Sequence, residues 1–410
     1  MASTRRRCWR NSGSAPRRDP KPRPTRPPPR QDPSPGPSAD MPGPPTAHQN
    51  AAEAAGRTLK TQPGGTPMKR RTFLKGAAST AAAASVFAIG GRARAAEFTL
   101  RAADSYPTTH SSSLNTREWI KRVDELTEGR VQIDYYPAEQ LAKAADLLDA
   151  CQNGIADVVY AAPLYISDRL PLSTVAALPL VGNVTERKGL HDAWHTLLFD
   201  TLNEIEYAPQ GVRVIRSGTT PAYQLMMRGD KVMSLDDLKG RKIRSSGGVQ
   251  ERSVEMLGAI ATGIPAPDLY AAIQRGTVDG ALFNLPTASG YRLEEQLSWS
   301  TDNLNLGLFP TTNVINERVW EGLPEDIQQA LVQAGEDTVP LLWEEDVKRQ
   351  AAFKAALEKK GGGFYSLPDE ERAVWAGKLA PVRDDWEASL QKLGKPAEMV
   401  AAKWEELVTA

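Results

Sequence analysis

The sequence predicts an α/β fold, because runs that suit strands alternate with runs that have helical spacing. Three short segments with apolar or alternating patterns predict strands, and the two intervals between them have helical periodicity. This β-α-β-α-β order implies a parallel sheet with right-handed crossovers. The predicted elements are, in order, strand 98–103, helix 114–127, strand 131–137, helix 140–152 and strand 156–162.

The second half of the chain repeats the alternation and predicts a second lobe. A small, polar connection at 217–223 marks the expected crossing between lobes. The helix expected from 324 to 360 contains Pro340 and is longer than one lobe needs, so we expect it to brace both. The remaining predictions are strands 211–216, 242–245, 278–284 and 313–316, and helices 186–207, 249–257, 267–275, 368–393 and 396–408. The expected domains are residues 96–219 with 309–350 for lobe I, and 220–308 with 351–410, including the closing helices, for lobe II.

The first 67 residues differ from the rest in composition. They hold 15 of the 31 prolines and no periodic apolar stretch, so they cannot bury enough surface to offset the entropy of ordering. We expect a disordered Pro/Arg-rich extension, upstream of the true start of the protein. Its arginines also suit a nucleic-acid-binding arm, which is the less favoured alternative.

Residues 68–95 have the pattern of an export signal. A charged region with the pair Arg70-Arg71 precedes an alanine-rich apolar run, and a small-x-small cleavage pattern ends at Ala95. Arg70-Arg71 followed by Phe73-Leu74-Lys75 is similar to a twin-arginine signal. An ordinary secretory signal with adjacent arginines is the alternative, and both predict the bacterial periplasm.

Charge and cysteine content restrict the function of the part that follows the signal. The first 95 residues contain 18 Lys and Arg but only 4 Asp and Glu, which leaves 32 basic and 46 acidic residues for 96–410, a net charge of −14. An acidic protein is not expected to bind nucleic acid. Cys151 is the one cysteine after residue 95, so no internal disulfide is possible there, and its helical apolar position predicts a buried, inert thiol.

Arg244 is the strongest candidate for binding a ligand. It lies in the predicted strand 242–245, where alternation places Lys242 and Arg244 on one face and Ile243 on the other. With Ile243 packed inward, Arg244 is expected to point into open space at the end of the strand, where its guanidinium can bind a carboxylate through two parallel hydrogen bonds. A surface arginine paired with Asp236 or Asp237 is the alternative.

Seven short motifs, in order and at similar spacing, are shared with one family. They are Thr-Glu-Gly-Arg-Val at 127–131, Tyr-Pro-Ala-Glu-Gln-Leu at 136–141, Gly-Ile-Ala-Asp-Val at 154–158, Leu-Pro-Leu at 178–180, Leu-Lys-Gly-Arg-Lys-Ile-Arg at 238–244, Leu-Tyr-Ala-Ala-Ile-Gln-Arg-Gly-Thr-Val-Asp-Gly at 269–280 and Leu-Pro-Glu-Asp-Ile-Gln at 323–328. Over residues 97–400 the chain resembles the solute-binding proteins of TRAP (tripartite ATP-independent periplasmic) transporters, the C4-dicarboxylate-binding family.

The resemblance implies the α/β fold of a two-lobed, type II-like periplasmic binding protein. In this fold strands form the hinge and a long helix contacts both lobes. It implies a receptor that captures a small organic anion without chemistry or cofactor and delivers it to TRAP membrane permease subunits. The family's ligand-binding arginine matches Arg244. Its asparagine after the Val-Asp-Gly strand matches Asn284 with an offset of one residue, which leaves Phe283 as a competing position.

Departures from the family pattern indicate the kind of ligand. The second arginine that many carboxylate binders carry near Thr220 is absent here. A monocarboxylate with an apolar or aromatic body is therefore expected in preference to a C4-dicarboxylate. Side chains expected to contact it, besides Arg244, Asn284 and Phe283, are Thr220, Tyr106, His110, Tyr165 and Tyr223.

One alternative is a zinc-dependent hydrolase. His191 and His195 are spaced i, i+4 on a predicted helix and can present two ligands to one metal, with Glu204 or Glu206 as the third. Against this, Asp192 stands where metalloproteases of this pattern have glutamate, so we expect two solvated histidines, no metal and no enzymatic activity. A ligand-sensing periplasmic protein without a transport role is a further alternative. Both a monomer and a homodimer are compatible with the sequence.

Overall fold

The computed structural model describes residues 96–179 and 187–409, all within one compact unit, Ala88–Ala410. The predicted extension 1–67 and signal 68–95 lie outside the described residues. No helix within the described ranges combines the length and apolar character needed to cross a bilayer.

Eleven strands of the described chain form two sheets, and each has a parallel part. The first sheet has the order β2-β1-β3-β10-β4, with β1, β2 and β3 parallel and β10 antiparallel to both its neighbours. The second has the order β11-β9-β5-β8-β6-β7, with β7, β6 and β8 parallel. The strands are β1 Phe98–Ala103, β2 Val131–Tyr136, β3 Val158–Ala161, β4 Val212–Thr219, β5 Gln224–Met227, β6 Lys242–Ser245, β7 Ile260–Gly263, β8 Gly280–Phe283, β9 Trp299–Thr301, β10 Pro310–Asn316 and β11 Gly363–Tyr365.

Helices cover both sheets. The predicted helix 186–207 is observed as α3, which continues without a break into a wider π-helical segment, Leu198–Tyr207. The helices are α1 Ser111–Leu126, α2 Leu147–Gln152, α3 Arg187–Leu197, α4 Val249–Met256, α5 Ala266–Gln274, α6 Leu285–Gly290, α7 Glu317–Glu321, α8 Glu325–Lys359, α9 Asp369–Leu379, α10 Pro381–Lys392 and α11 Ala397–Thr409.

Two predicted helices are wrong in extent. The helix predicted from 140 is confined to Leu147–Gln152, because Ala138 and Glu139 have positive φ (56° and 60°) and begin a turn-rich segment. The Glu139 carboxylate accepts a hydrogen bond from the Ala144 backbone N–H at 2.9 Å and stabilises that segment. The helix predicted over 368–393 is two helices, and the second begins at Pro381, a residue suited to a first helical position.

The chain crosses between the sheets in two extended segments, besides helix α8, and these two segments hydrogen-bond to each other. After β4 it passes through residues 220–223 to β5, and it returns through 302–309 to β10. Backbone N–H groups of Thr220 and Tyr223 donate to the carbonyls of Phe309 (3.2 Å) and Gly307 (2.9 Å). This pair of crossing segments forms a two-stranded connection where a hinge is expected.

Helix α8 contacts both sheets and their associated helices. In the half that contains the first sheet, the Trp119 indole of α1 donates a hydrogen bond to the Leu331 carbonyl of α8 at 3.0 Å. Towards its other end α8 packs against α6 and β11. Pro340 lies inside the helix and has no N–H to donate to the carbonyl of Glu336. The sequence-based expectation that this helix spans both halves is confirmed.

The core of the described chain is made of apolar side chains from the strands and helices of both sheets. Cys151 is fully buried within it, and burial raises the pKa of its thiol to about 12. The prediction of a buried cysteine is confirmed, and a thiol with a raised pKa is expected to stay protonated at neutral pH. The closing helices pack by specific contacts, among them the hydrogen bond from the Trp386 indole to the Thr174 hydroxyl at 2.8 Å.

Candidate functional site

A small cavity lies beside the crossing segments, between the ends of β3 and β8 and the side of α8. Its volume is about 40 Å³, which is room for about three water molecules. An organic acid needs more space than this, so the two halves must separate to admit one. Six of the eight predicted site residues line it: Tyr106, Tyr165, Thr220, Tyr223, Phe283 and Asn284.

Arg244 lies directly behind this wall. Its side chain is fully buried, and its guanidinium carbon lies 4.8 Å from the centroid of the Phe283 ring. Nε donates to the carbonyl of Ile264 at 2.7 Å, and Nη1 donates to the carbonyl of Leu282 at 3.1 Å. These two bonds fix the plane of the guanidinium.

The third guanidinium nitrogen of Arg244 has no acceptor. Nη2 is buried without a hydrogen-bond partner, and no carboxylate within the described ranges forms an ion pair with Arg244. Pairing with Asp236 or Asp237 is wrong, because Asp236 pairs with Lys239 and Asp237 accepts hydrogen bonds from the backbone N–H groups of Met233 and Ser234. A buried cation without a counter-charge is costly, so the site favours an anion.

The expectation that Arg244 points into open space is wrong. Alternation along β6 is correct, with Lys242 exposed and Ile243 buried, but both faces of the strand are covered at Arg244. Its surroundings include the Phe283 ring and the carbonyls of Ile264 and Leu282. Tertiary packing brings these groups next to Arg244, and a single sequence does not reveal them.

Two tyrosines of the cavity wall are close enough to Arg244 for its positive charge to affect their pKa values. Burial raises the pKa of Tyr165 and raises that of Tyr223 to about 12, and the positive charge of Arg244 opposes both shifts. The Tyr165 hydroxyl also accepts a hydrogen bond from the Ala266 backbone N–H at 3.0 Å. Both phenols stay neutral at physiological pH and leave Arg244 uncompensated.

Asn284 directly follows β8 and caps α6. Its Oδ1 accepts a hydrogen bond from the Thr287 backbone N–H at 3.0 Å, while its Nδ2 is buried without a partner. β6 and β8 are neighbouring parallel strands with Arg244 opposite Ala281, so the guanidinium and the amide both lie towards the carboxyl ends of these two strands. The site thus presents two buried donors without acceptors.

His110 is not part of the cavity wall but supports it. It caps α1, with Nδ1 accepting from the Ser112 backbone N–H at 3.0 Å, and its ring stacks on Tyr106 at 4.6 Å. Burial, helped by the charge of Arg349, lowers the pKa of His110 to about 3. Its Nε2 is buried without a partner. Ligand contact by His110 and by the six wall residues stays a prediction.

Arg187, Tyr160 and Thr219 are among the further polar or aromatic residues that line the cavity and were not singled out from the sequence. Arg187 begins α3 and pairs with Asp346 of α8 at 2.5 Å, and its Nε is buried without a partner. Helical periodicity identified α3, but the partner of Arg187 lies 159 residues further along the chain. Because Asp346 neutralises Arg187, the site retains one uncompensated positive charge.

The two histidines of α3 are placed differently from the prediction. His191 is buried, not solvated, and both His191 and His195 contact Glu336 of α8. Neither proposed third ligand is available. Glu206 accepts hydrogen bonds from the Leu172 and Ser173 backbone N–H groups (2.5 and 2.8 Å). Glu204 lies 3.7 Å from Arg213 on the outside of the molecule.

Two α/β halves joined by two crossing segments, a helix that spans both and a polar cavity at the junction together define a solute-binding protein. The model of the family named DctP, bacterial extracellular solute-binding protein family 7, matches residues 102–389. The chain belongs to this family, and the resemblance inferred from the seven motifs is confirmed.

Curated relatives are similar over half or more of this chain. The outer membrane transporter protein TsaT of Comamonas testosteroni is 27% identical over 231 residues, which is 55% of this chain and 66% of the relative. The C4-dicarboxylate-binding periplasmic protein DctP of Rhodobacter capsulatus is 26% identical over 293 residues, 68% of this chain and 82% of the relative.

Solved structures confirm the two-lobed fold. A TRAP solute-binding protein from Rhodoferax ferrireducens T118, solved with copurified benzoate, has a TM-score of 0.69 at 22% identity and covers 76% of this chain and 97% of its own. A marine metagenome TRAP protein specific for aromatic acid ligands, solved with 3-hydroxybenzoate, has a TM-score of 0.69 at 20% identity, covering 77% and 98%. DctP7 of Bordetella pertussis, which binds pyroglutamic acid, has a TM-score of 0.66 at 18% identity, covering 76% and 99%.

Proposed function

We propose that this protein is the periplasmic receptor of a TRAP transporter and captures a small monocarboxylate with an apolar or aromatic body. The observation that carries the proposal is the buried Arg244 guanidinium, which has no acid partner and one N–H group without an acceptor beside an aromatic cavity. Family membership and the ligands of the structural neighbours, benzoate, 3-hydroxybenzoate and pyroglutamic acid, support the same class of ligand.

The binding step follows from the donors at the site. A ligand carboxylate supplies the acceptor that Arg244 Nη2 and Asn284 Nδ2 lack. The charge-assisted hydrogen bond is stronger in a closed cavity, where water is excluded. The rings of Tyr165, Tyr223 and Phe283 then enclose the rest of the ligand. The single uncompensated charge of the site matches a monoanion and leaves the second carboxylate of a dicarboxylate without a partner.

Delivery to a membrane permease is the proposed consequence of closure. Ligand between the halves favours the closed form over the open one, and a permease that recognises the closed form receives loaded receptor selectively. The export signal predicted at 68–95 and the periplasmic relative from Rhodobacter capsulatus support a periplasmic location for this event. A ligand sensor without a permease uses the same binding step, and co-purification with TRAP membrane subunits distinguishes the two.

Isothermal titration calorimetry with benzoate, 3-hydroxybenzoate, pyroglutamate, succinate and the uncharged benzamide tests the proposal. We expect a monocarboxylate to bind and benzamide to fail. Arg244→Ala should weaken binding by about 2–5 kcal/mol, at least about 30-fold, because it removes one partner of a buried charge pair. Lys242→Ala, which removes an exposed charge from the same strand, is the matched control and should bind normally. Equal affinity of Arg244→Ala and wild type would remove Arg244 from the site.

A further inference from the structure

One face of helix α3 contacts helix α8 through polar side chains. Arg187, His191 and His195 are spaced i, i+4 and i+8, so their side chains lie on the same face. Arg187 pairs with Asp346, and both histidines contact Glu336, one helical turn before Pro340. The two histidines and Glu336 therefore form a cluster, separate from the cavity wall, that connects the two helices.

The distances within this cluster are those of a metal-ligand set. His191 Nε2 lies 3.2 Å from Glu336 Oε2, and His195 Nδ1 lies 3.0 Å from Glu336 Oε1. One ligand atom from each of the three residues lies within 4.8 Å of the others. Ligand atoms that bind zinc at about 2.0–2.1 Å in tetrahedral geometry are about 3.3 Å apart, so small movements suffice to enclose an ion.

The surroundings hold the three side chains in place. The His191 ring is buried and meets the edge of Trp343 at a centroid distance of 5.6 Å. The His195 ring stacks on Phe199 at 4.3 Å, and its Nδ1 lies 3.1 Å from the Ser217 hydroxyl. Ligands that are already fixed by packing lose little side-chain freedom on binding a metal. Ser217 also offers a hydrogen-bond partner to a water molecule that completes the coordination.

We propose that His191, His195 and Glu336 form a binding site for a divalent transition metal ion of the Zn²⁺ type. Two imidazoles and a carboxylate are a ligand set that suits zinc and neighbouring metals, and hard cations such as Mg²⁺ prefer oxygen ligands alone. The ion ties α3 to α8 and so fixes the pair Arg187–Asp346, which begins the same helix face and lines the cavity.

The role of the ion is structural, and no reaction is assigned to it. The position of a glutamate base in metalloproteases with this histidine spacing is occupied by Asp192. Asp192 is exposed and forms an ion pair with Lys188 on the outer surface of α3. The cluster consequently lacks a general base beside the open position, and the hydrolase hypothesis gains no support from it.

The test is titration of Zn²⁺ into EDTA-dialysed, untagged protein by calorimetry, with Co²⁺ absorption as a second readout of coordination. One ion per chain is expected. His195→Ala and Glu336→Gln should each weaken Zn²⁺ binding by about 100-fold or more, since loss of a ligand should cost at least as much as loss of an outer partner. The matched control is Asp192→Asn, an exposed change on the same helix, which should bind Zn²⁺ like wild type.

Circular dichroism without metal checks that each variant is folded. His195 is partly exposed and Glu336→Gln keeps the side-chain shape, so these two variants preserve the fold even if His191→Ala, in the core, does not. Absence of Zn²⁺ binding by wild type, or equal Zn²⁺ affinity in wild type and both variants, would overturn the proposal. The cluster would then be a hydrogen-bonded His–Glu–His triad without an ion. Binding of organic acids is not part of this readout, so the outcome is independent of the proposed receptor function.

Discussion

The guanidinium of Arg244 lies over the ring of Phe283, at 4.8 Å from its centroid, and the two residues come from the neighbouring strands β6 and β8. A cation over an aromatic face is attracted by the negative potential of the ring. The ring also lines the cavity, so one side chain both positions the arginine and contacts the space available to a ligand. A change at Phe283 should therefore affect both the position of the Arg244 guanidinium and the shape of the cavity.

Replacing Phe283 by leucine tests this double role. Phe283→Leu keeps an apolar side chain but removes the cation–π contact, worth about 0.5–2 kcal/mol, and the ring contact with Tyr223 at 5.7 Å. We expect benzoate affinity to fall by about 2- to 30-fold in calorimetry, with a smaller fall for an aliphatic monocarboxylate. Phe353→Leu, the same change in a buried ring of α8, should lower stability and leave affinity unchanged. An equal fall for aromatic and aliphatic ligands would contradict an aromatic-specific role.

Asn284→Asp separates the helix-capping role of this residue from its proposed contact with ligand. Aspartate caps helices as well as asparagine does, so the hydrogen bond from Thr287 is retained. The new carboxylate supplies an internal counter-charge near Arg244 and repels a ligand carboxylate. Ligand affinity should fall by about 100-fold or more, while thermal stability without ligand is unchanged or higher. Retained affinity, measured by calorimetry at pH 7, would mean that Asn284 acts as a cap alone.

Of the eleven strands in the described chain, the sequence predicted seven and missed β5, β7, β9 and β11. It also predicted six residues of the cavity wall. Tyr106, Asn284 and Phe283 follow or end strands of parallel character, and the carboxyl ends of such strands are where ligands bind. The burial of Arg244 was not predictable, because it depends on residues distant in sequence, such as Ile264 and Phe283, that pack around its guanidinium. Likewise, Arg187 pairs with Asp346 through a contact between distant helices. The local sequence pattern shows which side of a helix or strand is buried. It does not show which other element packs against that side, because this depends on the tertiary structure.

His110 predicts a specific loss of stability in acid. Its Nδ1 accepts a hydrogen bond from the Ser112 backbone N–H, which requires the neutral ring, and its pKa is lowered to about 3 by burial and the charge of Arg349. Since the unfolded pKa is about 6.5, the unfolded state binds more protons between pH 6.5 and 3. The free energy of unfolding should therefore fall as pH falls through this window, by up to about 1.4 kcal/mol per pH unit.

His110→Asn isolates this contribution. Asparagine keeps a side-chain oxygen at the helix cap but does not titrate. Urea unfolding of wild type and variant at pH 7 and pH 5 should show a smaller decrease for the variant, and groups common to both proteins cancel in the comparison. If the free energy of unfolding decreases equally in wild type and variant, His110 is not held neutral in the folded protein at pH 5.

Gly290 of α6 and His110 of the first half approach each other so closely that no side chain fits between them. A Cβ at Gly290 would lie 2.2 Å from His110 Cδ2 and 2.8 Å from Nε2. Gly290→Ala should therefore oppose approach of the two halves, with a cost of about 1–3 kcal/mol. If ligand binds by closure, calorimetry should show affinity lowered by about 5- to 150-fold and a smaller ligand-induced rise in Tm.

Gly377→Ala is the control for this substitution, because nothing lies within 4 Å of the Cβ it would add inside α9. It should raise stability by about 0.4–1 kcal/mol by restricting the unfolded chain, and leave affinity unchanged. Gly290→Ala protein that binds ligand as tightly as wild type would require the His110–Gly290 contact to be absent from the ligand-bound form. Closure would then bring the halves together through other residues, such as the pair Tyr165 and Ala266, whose hydrogen bond also joins them.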